Sequence, residues 1–296
     1  MVAINFKNLS NRNKGIAFII LSAFGFAVMS AFVKLAGDLP SLQKTFFRNL
    51  VSCIIALCLI LSHRESFFGK RENQKILLLR SFFGTIGIIL NFYAIDKLVL
   101  SDANMLNKLS PFFVIIFSAL FLKERISLKQ ILSVIVAFIG ALFIIRPSLN
   151  LDMVPYFLGV LGSIFAAAAY TCLRVLGGKE KYYTIVFYFS LFSTITVFPF
   201  MVFTYKSMTF IQLIYLTLAG VFASIGQFGI TLAYRFAPAK EISIFDYSNI
   251  IFSAIISIFL FNTIPDSMSF IGYIIIFTSS FYMFLYNRNL DKNQKN

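Results

Sequence analysis

Two ionisable side chains sit inside apolar stretches where hydrocarbon surroundings are expected: Lys108 within residues 98–122 and Asp246 within residues 239–262. A charged group at the centre of a membrane helix costs about 2.5–3.5 kcal/mol on insertion scales, so each needs a partner or a wet cavity. On a helix, Ser101, Asn104, Asn107, Lys108 and Pro111 fall on one face about 120° wide. The matching face of the second stretch carries Lys240, Ser243, Asp246, Tyr247 and Ile250. Two such stripes turned toward lipid would be costly, whereas turned inward they line a common polar cavity. There Lys108 and Asp246 offer a cation and an anion for the two ends of a zwitterionic or amphoteric small molecule. Asn104, Asn107 and Tyr247 stand beside them as binding candidates. Asn91, Tyr93, Gln227 and Tyr234 are further hydrogen-bonding candidates on neighbouring stretches, although such residues also bridge helices. Two structural alternatives stand for the charged pair: Lys108 snorkels, or the pair is a buried scaffold bridge. If proton movement is coupled to binding, Asp246 is the first candidate for it and Glu241 the second.

These residues need elements that hold them at depth. The 296-residue chain is 59% hydrophobic and 13% charged, against roughly 45–50% and about 25% in soluble domains. Ten apolar spans can be drawn, at 15–36, 46–62, 76–95, 98–122, 128–145, 155–174, 183–204, 210–234, 239–262 and 268–286. Each approaches the length a helix needs to cross roughly 30 Å of hydrocarbon. The spacing therefore predicts an all-α polytopic membrane protein. The first run, Gly15 to Ala36, is too long for a signal segment and reads as a retained helix. Lys108 is expected about 15 Å deep from one side and Asp246 about 10 Å deep from the other, so the two should meet near the midplane and pair when the cavity is empty.

Loop charge supplies the orientation. Arg12, Lys14, Arg64, Lys70, Arg71, Lys75, Lys123, Arg125, Lys129, Lys179, Lys181 and Arg235 all fall on one side. The positive-inside rule then puts both tails, 1–14 and 287–296, in the cytoplasm, with the protein in the cytoplasmic (inner or plasma) membrane. The net charge of +14 is dispersed among hydrophobic runs, which argues against nucleic acid as a partner and for the bilayer. Arg80, near the cytoplasmic end of its span, is expected to snorkel. Arg48 and Lys34, near outer ends, either steer anionic groups or anchor helices. The three cysteines lie in apolar runs and give no disulfide framework. No cluster of His, Cys and carboxylates has metal-ligand spacing, so neither a metal nor a cofactor is expected. Phe, at 38 residues with no Trp, reads mostly as lipid-facing bulk.

Five spans are an odd number, so a second set of five enters the membrane from the opposite side. Pairing residue i with i+139 aligns Ile86-Gly87 with Ile225-Gly226, Ala94 with Ala233, Asp102 with Glu241, Asn107 with Asp246 and Ser118 with Ser257. The expected architecture is two inverted five-helix repeats, 15–145 and 155–286, around a central cavity. Gly84 and Gly87, like Gly220 and Ser224, are spaced for close helix approach.

Tyr93-Ala94, Ser101-Asp102-Ala103, Leu109-Ser110-Pro111, Phe121-Leu122-Lys123-Glu124-Arg125 and Gly140 resemble the EamA pattern of the drug/metabolite transporter superfamily. Ala233 to Ala239 followed by Asp246-Tyr247 resembles the same module in the second half. The pattern departs at Phe261-Asn262-Thr263, where its Gly-Glu is missing while Pro265 is kept. The resemblance implies ten helices, a central cavity and transport of a small molecule, without naming one. The residue reading alone favours a secondary transporter of small polar metabolites such as amino acids, amines or related zwitterions. No Walker A loop is present to use ATP. The competing classes are an intramembrane lipid-modifying enzyme, for which no catalytic constellation is visible, and a sensor or scaffold, for which the short loops hold no output domain. Oligomeric state is left open.

Overall fold

In hydrocarbon an apolar run satisfies its own backbone only as a helix, or in a closed barrel. The computed structural model describes residues 10–122, 127–145, 153–176, 178–237 and 242–293; these are helices joined by short turns, with no strand among them. Helices α1 (Asn11–Leu35), α2 (Ser41–His63) and α3 (Gln74–Lys97) come first, and a fourth stretch is divided into α4 (Leu100–Asn107) and α5 (Ser110–Leu122). Then follow α6 (Leu128–Ile145), α7 (Val154–Leu176), α8 (Tyr182–Phe203) and α9 (Phe210–Phe236). The ninth stretch opens as a 3-10 turn, Ser243–Tyr247, continues as α10 (Ser248–Phe261), and α11 (Ser267–Asn293) closes the chain. Ten of these stretches are long and apolar enough to cross a membrane, so the protein is a multi-pass membrane protein. The expected spans match them to within a few residues, except that α2 starts earlier, at Ser41, and α11 runs on to Asn293.

Both polar-faced stretches are broken, and the first break has a plain cause. Pro111 has no N–H to offer the Asn107 carbonyl one turn back, and its ring crowds that carbonyl. The chain tightens there: the Leu109 N–H bonds to the Leu106 carbonyl at 3.1 Å and the Phe112 N–H to the Leu109 carbonyl at 3.0 Å. No proline stands at the equivalent Ile250. The run Ser243 to Asn249 instead contains Ser243, Asp246, Ser248 and Asn249, all poor helix formers. The departure at Asn262 also has a local reason. Asn262 caps α10 in the left-handed region, φ 50°, which asparagine tolerates better than most residues.

The helices pack as antiparallel pairs, α1 against α9, α3 against α7, α2 against α8 and α6 against α11. Small residues let the backbones approach. A Cβ on Gly25 would lie 2.9 Å from the Gly226 nitrogen, and one on Gly272 would lie 2.6 Å from the Gly140 carbonyl oxygen. Hydroxyls then tie chain to chain: Ser22 donates to the Gly226 carbonyl at 2.7 Å and Ser279 to the Ser133 carbonyl at 2.6 Å. The largest buried apolar cluster wraps the α4–α5 break, with Phe92, Leu106, Leu109, Phe112 and Tyr247. Many large apolar side chains, among them Phe200, Phe203, Phe210 and Phe259, face outward.

Because the atom opposing Gly272 is backbone, it cannot swing aside. Gly272→Ala should therefore force α6 and α11 apart and cost about 1–3 kcal/mol, read as a lowered thermal midpoint of the detergent-purified protein.

Candidate functional site

The two breaks meet. Lys108, the residue that ends α4, places its Nζ 2.5 Å from Oδ2 of Asp246 in the 3-10 turn, with the side chains 9% and 16% exposed. The expected pair is thus formed. The Lys108 carbonyl is the group left without an α-helical donor by the tightened turn, and the Tyr247 hydroxyl donates to it at 3.2 Å. Residues matched by the i+139 shift, Lys108 and Tyr247, are therefore bonded to each other. The remaining Asp246 oxygen, Oδ1, is buried with no hydrogen-bond partner.

Beside this pair lies a cavity of about 90 Å³, lined by polar groups from both breaks and from the helices around them. Of the residues singled out from sequence, Asn91, Asn104, Asn107, Lys108, Gln227 and Asp246 line it. Asn107 Nδ2 donates to Asn91 Oδ1 at 3.4 Å, and Asn104 bridges Ser30, at 3.3 Å, and Ser253, at 2.8 Å. Tyr247 sits behind the lining as a brace rather than in it. Tyr93 is outside the lining, against the expectation that it faces a ligand. The cavity face of α3 runs Arg80, Gly84, Gly87, Asn91, and Tyr93 is about 200° round the helix from Asn91. Thr231 donates back to the Gln227 carbonyl at 2.7 Å. The Tyr234 side chain, Glu241 and Lys123-Glu124-Arg125 lie outside the described residues.

The expectation that Arg80 snorkels is overturned. It is 4% exposed and turned inward, its Cζ 3.9 Å above the Phe189 ring and its Nη2 donating to Gln227 Oε1 at 3.3 Å. Arg48, 1% exposed, reaches the same ring at 6.0 Å and donates to Asn49 Oδ1. Both line the cavity, as do Tyr170 and Asn249. The signal for Arg80 was in the sequence, since it shares the helical face of Asn91. Tyr170 and Asn249 carry no such sign.

Two stretches of the chain, residues 13–146 and 153–285, each match the EamA-like transporter family. The chain belongs to that family. The pseudopaline exporter of Pseudomonas aeruginosa is 33% identical to it over 88% of this chain and 93% of its own length. Human solute carrier family 35 member G1 is 26% identical over 85% of this chain and 73% of its own. A solved crystal structure 13% identical covers 91% of this chain and 98% of its own, with a TM-score of 0.64, which bears on the fold alone. Family and relatives are transporters rather than enzymes, so the lipid-modifying alternative falls away.

In this EamA-like chain the helix ends opposite the start of α1 are fastened by a second polar cluster that the sequence reading missed. Lys44 Nζ, fully buried, lies 2.5 Å from Asp96 Oδ1 and 2.6 Å from the Gly37 carbonyl. Lys34 Nζ donates to the Leu98 carbonyl at 2.5 Å, and the Tyr273 hydroxyl to Asp102 at 2.5 Å. The lysine contacts draw the ends of α1, α2 and α3 and the turn into α4 together beyond the cavity, and the Tyr273 bond ties α4 to α11.

The Tyr247 hydroxyl is the only donor recorded for the Lys108 carbonyl among the described residues. Tyr247→Phe keeps the ring but leaves that buried carbonyl unmet, and should cost about 1–3 kcal/mol in the thermal unfolding of the purified protein.

Proposed function

We propose that this EamA-like transporter is a secondary transporter that carries small polar metabolites with both a cationic and an anionic end, such as amino acids, amines bearing an acid or related zwitterions, by alternating access. The observation that carries this reading is the Lys108–Asp246 pair, formed between the two family-matched halves at the two helix breaks and beside a polar cavity. Broken helices at depth are where many transporters bind, because the ends of half-helices present backbone dipoles to a ligand. An ammonium would take the place of Lys108 on Asp246, and a carboxylate the place of Asp246 on Lys108. Asn91, Asn104, Asn107 and Gln227 would complete the hydrogen bonds, with Tyr247 positioning Lys108.

Ligand sites usually measure about 300 Å³ or more, so a cavity of about 90 Å³ must widen to admit a metabolite. Widening fits a cycle in which the ion pair opens for substrate and closes without it. Two further features support the inverted-repeat reading. The family match occurs twice, and the helix pairs α1–α9 and α3–α7 exchange with each other when the two halves are swapped, while α2–α8 and α6–α11 map onto themselves. The bias of basic loops supports a cytoplasmic membrane with both termini inside.

Accumulation or export of labelled amino acids and related zwitterions, measured in cells and in proteoliposomes, tests the reading. Lys108→Gln and Asp246→Asn should each reduce flux at least about a hundredfold while membrane-inserted protein stays at the wild-type level, the loss expected when one partner of a buried charge contact is removed. Unchanged flux in both variants would sink the proposal. If Asp246 also couples protons, wild-type flux should respond to an imposed pH gradient; flux indifferent to the gradient removes it from that role.

A further inference from the structure

We infer that Arg48 and Arg80 form an anion subsite in the same cavity, so that the transported molecule carries a net negative charge: an amphoteric end for Lys108 and Asp246, and an additional oxyanion, carboxylate or phosphate, for the two guanidiniums. The inference rests on the transport reading above and narrows its substrate class.

Neither arginine has a carboxylate partner among the described residues; the partly buried carboxylates Asp96 and Asp246 are held by Lys44 and Lys108. Both side chains are buried, and arginine does not shed its charge to escape burial. Arg48 Nε, Arg80 Nε and Arg80 Nη1 have no hydrogen-bond partner. Buried donors left unmet on a charged group are costly, and more so where the surroundings are apolar. The few contacts present hold the groups in place without neutralising them. Phe189 offers its face to Arg80, and Gln227 and Asn49 accept one bond each. Ring stacking fixes the plane of a guanidinium while its edge stays available, which is the geometry that takes an oxyanion.

Charge leads to the same place. The lining contains Arg48, Arg80 and Lys108 against the single carboxylate Asp246. A zwitterion with one amine and one carboxylate leaves two positive charges unanswered. A molecule with further carboxylates, or with a phosphate, answers them.

The test uses the full chain, purified in detergent, and small anions that need little room. Its thermal midpoint is followed against sodium malonate and against sodium phosphate, each compared with sodium chloride at equal ionic strength and pH. We expect a saturable rise beyond chloride for at least one of the two. A response to malonate alone assigns a carboxylate subsite, and one to phosphate alone a phosphoryl subsite. Arg48→Met and Arg80→Met should weaken the apparent affinity about thirtyfold or more. Arg48→Lys and Arg80→Lys, which keep the charge and lose the fork, should weaken it less, and they read the same point if the methionine variants do not fold. No rise beyond chloride in the wild type, or a rise that the arginine variants leave unchanged, overturns the inference. The malonate and phosphate responses do not depend on transport, so failure of the Lys108–Asp246 reading would appear in the flux assay alone. A transported metabolite with no anionic group beyond one carboxylate, carried equally well by the Arg→Lys variants, would overturn this inference and leave that reading standing.

Discussion

A helix broken inside an apolar bundle frees backbone groups where no water waits to receive them, and the centre of this protein is arranged around meeting that demand. Pro111 breaks the fourth stretch, the turn tightens so that the Phe112 N–H goes to Leu109 instead of Lys108, and Tyr247, from the other break, supplies the hydroxyl that meets the Lys108 carbonyl. On the same residue the Lys108 ammonium reaches Asp246. One junction thus settles both a backbone debt and a charge imbalance, and each half of the chain needs the other to do so. The position of the cavity follows, because the Lys108 and Asp246 side chains that join the breaks also form part of its wall, with Tyr247 braced behind them.

The spans, their number and the inward polar faces were legible because hydropathy is a property of runs of residues. The Lys108–Asp246 contact was legible for a related reason: a charge deep in a span has few solutions, and two charges of opposite sign at similar depth are each other's solution. What stayed hidden depends on direction rather than depth. Arg80 lies near a span end, and along the axis that reads as an exposed position; only the shared face with Gly84, Gly87 and Asn91 turns it inward. Tyr93 fails in the opposite sense, being polar and deep enough but on the wrong side of α3. The second break was hidden as well. A proline announces the first, whereas Ser243 to Tyr247 tighten into a 3-10 turn with nothing stronger than a cluster of weak helix formers. The Lys44–Asp96 contact joins span ends that approach only once the tertiary fold is formed.

Packing separates what is rigid from what can give. Within the α1–α9, α3–α7 and α6–α11 pairs, backbone meets backbone at glycine, and a shift of even a few tenths of an ångström would create clashes or voids. Across the cavity the contacts are between side chains: an ion pair, a few amide bonds, a ring under a guanidinium. These can be exchanged for contacts to a ligand without moving a helix relative to its own partner. Rearrangement around the site is therefore expected between the tight pairs and not within them.

The charges around the cavity are divided unequally between the halves. Arg48, Arg80 and Lys108 all belong to the first family-matched stretch, and Asp246 to the second. With the cavity empty, attraction between a cationic first half and a single anion in the second draws the halves together at the breaks. An anion placed on the arginines would lower the positive potential that Asp246 experiences, and an ammonium placed on Asp246 would remove its reason to hold Lys108. On the proposed reading, an amphoteric molecule with surplus negative charge does both at once. A neutral zwitterion does only the second and leaves Arg48 and Arg80 as unanswered as before. The likeness of the two family-matched stretches is thus kept in the helix pairing and abandoned in the charges, and the asymmetry in charge is what would make the empty and loaded cavities energetically different.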